Sequence, residues 1–90
     1  MAYLMPRIST FYGIVVTMYS SDHAPPHFHA RYGEFEAQIV ISTGEPLAGQ
    51  LPIRALRLIR EWTELHRADL QANWERAQAR TPLASIDPLP

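Results

Sequence analysis

The dipeptide Gly33-Glu34 separates two runs of alternating side chains, and only one pairing of those runs gathers the apolar residues onto one face. Folding the chain back here sets Tyr32 opposite Phe35, Arg31 opposite Glu36, Ala30 opposite Ala37, His29 opposite Gln38 and Phe28 opposite Ile39. Cross-strand partners share a face. One face of the hairpin is then Phe28, Ala30, Tyr32, Phe35, Ala37, Ile39 and Ile41. The other is His27, His29, Arg31, Glu36, Gln38 and, at the far end, Val40. A slip of one residue would turn the apolar set toward solvent. Glycine at the first central position suits a two-residue type II′ turn.

The flanks extend this sheet. Thr10 to Ser20 is rich in β-branched and aromatic residues and reads as one central strand, with Tyr12, Ile14, Val16 and Met18 on one side and Phe11, Val15 and Tyr19 on the other. Such a two-sided apolar strand needs cover on both faces. Gly13 inside it suggests a bulge or a close backbone approach, and Met1 to Ser9 reads as a short lead-in. Ser42-Thr43-Gly44-Glu45 reads as a turn, and Pro46 to Gln50 as a short edge strand, where proline is tolerated.

From Ile53 to about Arg80 the apolar period is helical, with Pro52 suited to the first helical position. Leu56, Ile59, Thr63, His66, Leu70, Asn73 and Ala77 form one stripe, widened by Leu58, Trp62, Leu65 and Trp74. Arg57/Glu61 and Arg60/Glu64 are spaced as i,i+4 pairs. One unbroken helix would run about 40 Å, longer than the roughly 30 Å of a domain this size. A break near His66–Asp69 is therefore expected. The fold class is α+β: a three- to four-stranded antiparallel sheet, then two C-terminal helices or one bent helix packed on one sheet face. Residues 1–90 form a single domain, and 81–90 are a proline-rich tail whose Leu83, Ile86 and Leu89 can dock or stay loose.

Length and composition narrow the functional classes. A chain of 90 residues buries roughly 60–65% of its unfolded surface. The absence of cysteine excludes disulfides, thiolate zinc sites and thiol nucleophiles, and fits a cytoplasmic setting. Met1 to Arg7 lacks the apolar core of a signal peptide. No apolar run is long enough to span a membrane. The net charge of −1 weighs against non-specific nucleic-acid binding, although all eight basic residues are arginine. No serine elbow and no phosphate-binding glycine loop is present.

Chemistry concentrates in Asp22-His23-Ala24-Pro25-Pro26-His27-Phe28-His29, which places three of the four histidines within seven residues. Two prolines stiffen the loop. His27 and His29 leave the same strand face, roughly 6–7 Å apart, a gap that one metal ion bridges. His23 is placed to close a third position, and Asp22 or Glu36 to add an oxygen. Three protein ligands with an open fourth position are the arrangement of a catalytic zinc site. The competing reading gives these imidazoles structural hydrogen bonds on a polar face. Arg31 opposite Glu36 reads first as a cross-strand ion pair and second as an anion clamp beside the histidines. Tyr12 and Tyr32 read first as packing residues, with hydroxyls that can also meet a ligand. His66, Trp62 and Trp74 read as core or core-edge residues.

The segments Arg7-Ile8-Ser9, Phe11-Tyr12-Gly13-Ile14, Asp22-His23, Pro25-Pro26-His27-Phe28-His29 and Tyr32-Gly33-Glu34 resemble a small bacterial family catalogued as domain of unknown function 4160. The helical residues Leu51-Pro52, Arg54-Ala55-Leu56, Glu61-Trp62, Glu64-Leu65-His66-Arg67, Leu70 and Asn73-Trp74-Glu75 are similar to the same family. The resemblance runs from about Met5 to Leu89. It implies a small single-domain protein often encoded beside another small domain, in the manner of a toxin–antitoxin pair, and no established activity. Three functional expectations follow. The first is a metal or small-anion site, with His23, His27, His29 and Asp22 as metal ligands, zinc as an example of the ion, and Arg31, Glu36 and Tyr12 contacting a ligand. The second is a non-catalytic interaction module that self-associates or binds a neighbouring gene product. The third is RNA binding or cleavage, using histidine acid–base chemistry and Arg54, Arg57 and Arg60 at the helix start.

Overall fold

The computed structural model describes residues 6–90. Five strands, β1 (Arg7–Phe11), β2 (Ile14–Thr17), β3 (His27–Tyr32), β4 (Phe35–Val40) and β5 (Pro46–Gly49), precede two helices, α1 (Ile53–Leu65) and α2 (Arg67–Gln78). The strands form one antiparallel meander in the order β1-β2-β3-β4-β5. The α+β class and the helix pair are as expected; the sheet has five strands rather than three or four. Among the described residues no helix is long and apolar enough to cross a membrane.

The β3–β4 pairing is the one dictated by alternation: Tyr32 with Phe35, Arg31 with Glu36, Ala30 with Ala37, His29 with Gln38 and Phe28 with Ile39. Gly33 has the positive φ (61°) that the first central residue of a II′ turn requires. Phe28, Ala30, Ala37, Ile39 and Ile41 are buried, while Tyr32 and Phe35 stay partly open at the tip.

The extra strand comes from Thr10–Ser20, which is not one strand. The chain reverses at Tyr12-Gly13, where both residues have positive φ (48° and 82°). That is the backbone of a type I′ hairpin turn, a position usually held by Asn-Gly. Tyrosine in the left-handed region is uncommon, so the residue types did not announce the turn. Gly13 marks this reversal rather than a bulge; the irregular register lies between Arg7 and Ser9. The turn also resets the alternation. Phe11 enters the core and Tyr12 points out, 59% exposed, against the expected assignment of both. The expected lead-in therefore contains the start of β1, and its first part, residues 1–5, lies outside the described residues.

The core lies between the apolar sheet face and α1. Trp62 is fully buried, with its ring 5.1 Å from that of Phe11 and 5.6 Å from that of Phe28. The helix break falls at His66 (φ −120°, ψ 26°). Just before it, the Thr63 hydroxyl donates to the Ile59 carbonyl at 2.7 Å, a back-bond that bends helices. Just after it, Asp69 sits in the first turn of α2, where a carboxylate favours a new helix start. Arg67 Nε donates to the Ile41 carbonyl at 3.1 Å, fixing that start against the end of β4. Two surface expectations are corrected. Arg60 pairs across the fold with Glu45 at 2.6 Å rather than with Glu64, which takes Arg67, and no Arg57–Glu61 pair forms among the described residues. Leu65 lies on the outer side of α1, exposed, instead of widening the core stripe.

The proline-rich tail docks. Ile86 and Leu89 are buried, the Ile86 amide donates to the Ile8 carbonyl at 2.9 Å, and Trp62 Nε1 donates to the Asp87 carbonyl at 2.8 Å. Asn73, fully buried on α2, bonds Ala84 in both directions, at 2.8 and 2.9 Å.

Candidate metal centre

The β2–β3 connection carries Asp22 back over the start of β3. Its two ends are tied to different elements. The Ile41 amide donates to the Pro26 carbonyl at 3.1 Å, and Gln78 Nε2 of α2 donates to the Asp22 carbonyl at 3.2 Å. Asp22 then meets both strand histidines. Its Oδ2 lies 3.0 Å from His29 Nε2 and 3.4 Å from His27 Nε2. The three residues form a group whose candidate ligand atoms all lie within 4.8 Å of one another.

Each imidazole is also held by its second nitrogen. His27 Nδ1 donates to the Pro25 carbonyl at 2.8 Å, which places a proton on Nδ1. His29 Nδ1 lies 3.4 Å from the Glu36 carboxylate. Metal-binding histidines are commonly oriented this way, with the non-ligating N–H given to a carbonyl or carboxylate. A neutral His27 bonded to Pro25 presents only a lone pair at Nε2, and it faces the lone pairs of an Asp22 oxygen. A neutral His29 has one N–H and two facing carboxylates. The two Nε2 atoms and the Asp22 carboxylate therefore turn toward one another, His29 within hydrogen-bond distance of Asp22 and His27 slightly beyond it.

The surroundings differ from an open polar face. His27 is 4% exposed, with the Trp74 ring 5.4 Å away. His29 packs edge-on against Tyr19, ring centroids 4.7 Å apart. The expected projection of both imidazoles from one face holds, since their centroids are 5.5 Å apart. Their exposure does not, because α2 and the loop cover this end of the sheet.

The other site candidates separate. His23 is exposed and stands outside the group. Arg31 and Glu36 are paired in register but form no ion pair; Glu36 turns to His29. Both line a shallow hollow with Val15, Thr17, Tyr19 and His29. Tyr12 is at the hairpin tip, where its hydroxyl donates to the Pro90 carbonyl at 2.9 Å. The sequence reading did not single out Tyr19 or Gln78 for the site, and it assigned Trp74 to the core alone. Helical and strand periods show which side of an element a residue occupies, not which distant loop returns to it.

A family model described as a domain of unknown function (DUF4160) matches residues 13–75. That span contains Asp22, His27, His29, Glu36 and Trp74 and stops short of Gln78 and the docked tail. Neither the search of curated proteins nor that of solved structures found a match.

Proposed function

This chain belongs to the DUF4160 family, and from the geometry above we propose that it binds a divalent metal ion, such as zinc, through His27 Nε2, His29 Nε2 and the Asp22 carboxylate. The observation that carries this reading is the inward convergence of both Nε2 atoms on Asp22 while both Nδ1 atoms are anchored outward. Donor atoms sharing a metal at about 2.0–2.2 Å sit about 3.0–3.5 Å from each other in octahedral or tetrahedral geometry, and the two nitrogen–oxygen separations here are 3.0 and 3.4 Å. Two imidazoles and a carboxylate suit zinc, iron, nickel or copper better than calcium or magnesium. Three protein ligands leave positions for water or a small ligand, the pattern of a reactive rather than a purely structural site.

An interaction module would need a strand with two apolar faces. The second face of β2 offers Val15 and Thr17 beside His29 and Arg31, a mixed surface, so the metal reading has the stronger support. Calorimetry with zinc, nickel and manganese on the untagged protein and on a His27→Ala/His29→Ala variant tests it. Saturable zinc heat in the wild type that vanishes in the variant is expected. Equal heats in both would overturn the metal centre.

A further inference from the structure

Residues 81–90 carry no helix or strand, yet they are held at intervals along their length. Ala84 meets Asn73 of α2 by two hydrogen bonds, at 2.8 and 2.9 Å. The Ile86 amide donates to the Ile8 carbonyl of β1, Trp62 Nε1 of α1 donates to the Asp87 carbonyl, and the Tyr12 hydroxyl donates to the Pro90 carbonyl. Ile86 and Leu89 are buried, and Leu83 packs against the core. Every one of these hydrogen-bond partners lies in residues 8–73, so a second copy of the chain offers the same groove to the same segment.

The link from α2 to this tail is short and strained. Arg80 has a φ of 59°, in the left-handed region. Its amide donates to the Ala77 carbonyl at 3.1 Å, and the Thr81 amide donates to the Arg76 carbonyl at 2.9 Å. That pair of bonds is a Schellman helix stop, whose left-handed position is usually glycine. Arginine there bears a steric penalty that glycine escapes. Only Thr81, Pro82 and Leu83 separate Arg80 from Ala84, and proline stiffens the link further. Short hinge loops under strain favour exchange of the segment they carry, because the exchanged form keeps the docking contacts while the hinge relaxes.

We propose that two copies of this chain associate by exchanging residues 81–90, with Arg80 as the hinge. Each tail then lies in the other copy's groove, against β1, Trp62 and Asn73. This surface is separate from the candidate metal centre, and the proposal does not depend on that reading. The four steps from Arg80 to Ala84 reach at most about 14 Å, so the C-terminal ends of the two α2 helices sit side by side. The closed monomer competes, because a tethered tail has an effective concentration in the millimolar range. Exchange therefore grows with protein concentration.

Light scattering after size exclusion tests this on the untagged full chain, loaded at concentrations up to the millimolar range. The wild type is compared with Arg80→Gly and Arg80→Val. Glycine relieves both hinges and should lower the dimer association constant by about tenfold or more. Valine, being β-branched, tolerates positive φ poorly and should raise it. Arg80 is exposed, and circular dichroism checks that both variants keep the fold. Isotope-filtered NMR on an equal mixture of labelled and unlabelled wild type then locates the tail. Contacts between Ile86 of one chain and Ile8 of the other are expected in the dimer. Wild type and Arg80→Val that both stay monomeric throughout would overturn the proposal. So would a dimer whose tails touch only their own chains, and so would equal dimerisation by all three proteins.

Discussion

The indole of Trp74 lies against the imidazole of His27, ring centroids 5.4 Å apart, although 46 residues separate them along the chain. This contact turns a histidine on the polar side of a strand into a buried group, and it ties α2 to the candidate metal centre. Trp74 is itself 7% exposed. Replacing it with alanine removes a large buried ring and uncovers His27. Trp74→Ala is expected to cost about 3–5 kcal/mol, and Trp74→Phe distinctly less. Urea denaturation followed by circular dichroism measures both.

Asp22 and His23 are neighbours with different surroundings. Asp22 faces two imidazoles, while His23 is exposed and outside the group. Asp22→Ala should therefore weaken zinc binding by tenfold or more, about the effect of losing a coordinating or orienting group. His23→Ala should leave it within about twofold. Competition titration against a chromophoric chelator ranks the two, and the opposite ranking would move the third ligand to His23.

Zinc and protons compete for the same atoms in this arrangement. Each Nε2 must carry a free lone pair and Asp22 must be ionised before a metal can bind, so binding releases protons wherever those atoms hold them. Affinity should fall on acidification, because protons compete with the ion for its ligand atoms. Calorimetry in two buffers of different ionisation enthalpy counts the protons released. A zinc affinity that does not fall as the solution is made acidic would argue for ligands other than imidazole.

Asn73 is fully buried and holds the tail by two hydrogen bonds to Ala84, while Arg76 Nη1 donates to its side-chain oxygen at 2.8 Å. Asn73→Ala leaves the Ala84 amide and carbonyl without their partners, at an expected cost of about 2–3 kcal/mol. Hydrogen exchange should speed up at Ala84 and Ile86 before it does in β3 and β4. Uniform acceleration across the sheet would mean that the tail unfolds only with the whole domain.

Gly49 and Gly33 both have positive φ, 75° and 61°, but only one is crowded. A methyl group at Gly49 would collide with the Glu36 carbonyl oxygen, whereas nothing lies within 4 Å of one at Gly33. Both alanine variants bear the backbone penalty of about 1 kcal/mol or more. Gly49→Ala adds the clash and should loosen β5 from β4. A thermal midpoint lower for Gly49→Ala than for Gly33→Ala is the expected order.

The extent to which the fold was legible follows from the range of each signal. The β3–β4 register could be read because alternation has a period of two and one face had to be apolar; His29 falling opposite Gln38 needed nothing beyond that. The helix break was legible from length, since the molecule is only 34 Å in its longest dimension. The Tyr12-Gly13 reversal was not, because a turn that demands positive φ at both positions carries tyrosine at the first. The swap of Phe11 into the core followed from that one missed reversal.

The same division applies to the site. The sequence by itself determined that His27 and His29 share a face, because residues two apart on a strand must. Only the tertiary structure decided that Asp22 returns to both imidazoles, that Glu36 abandons Arg31 for His29, and that Trp74 closes over His27. Strand and helix periods are short-range and survive in the order of residues. The meeting of residues 22, 29 and 74 depends on how the loop and α2 close around the end of the sheet, and no local pattern encodes that path.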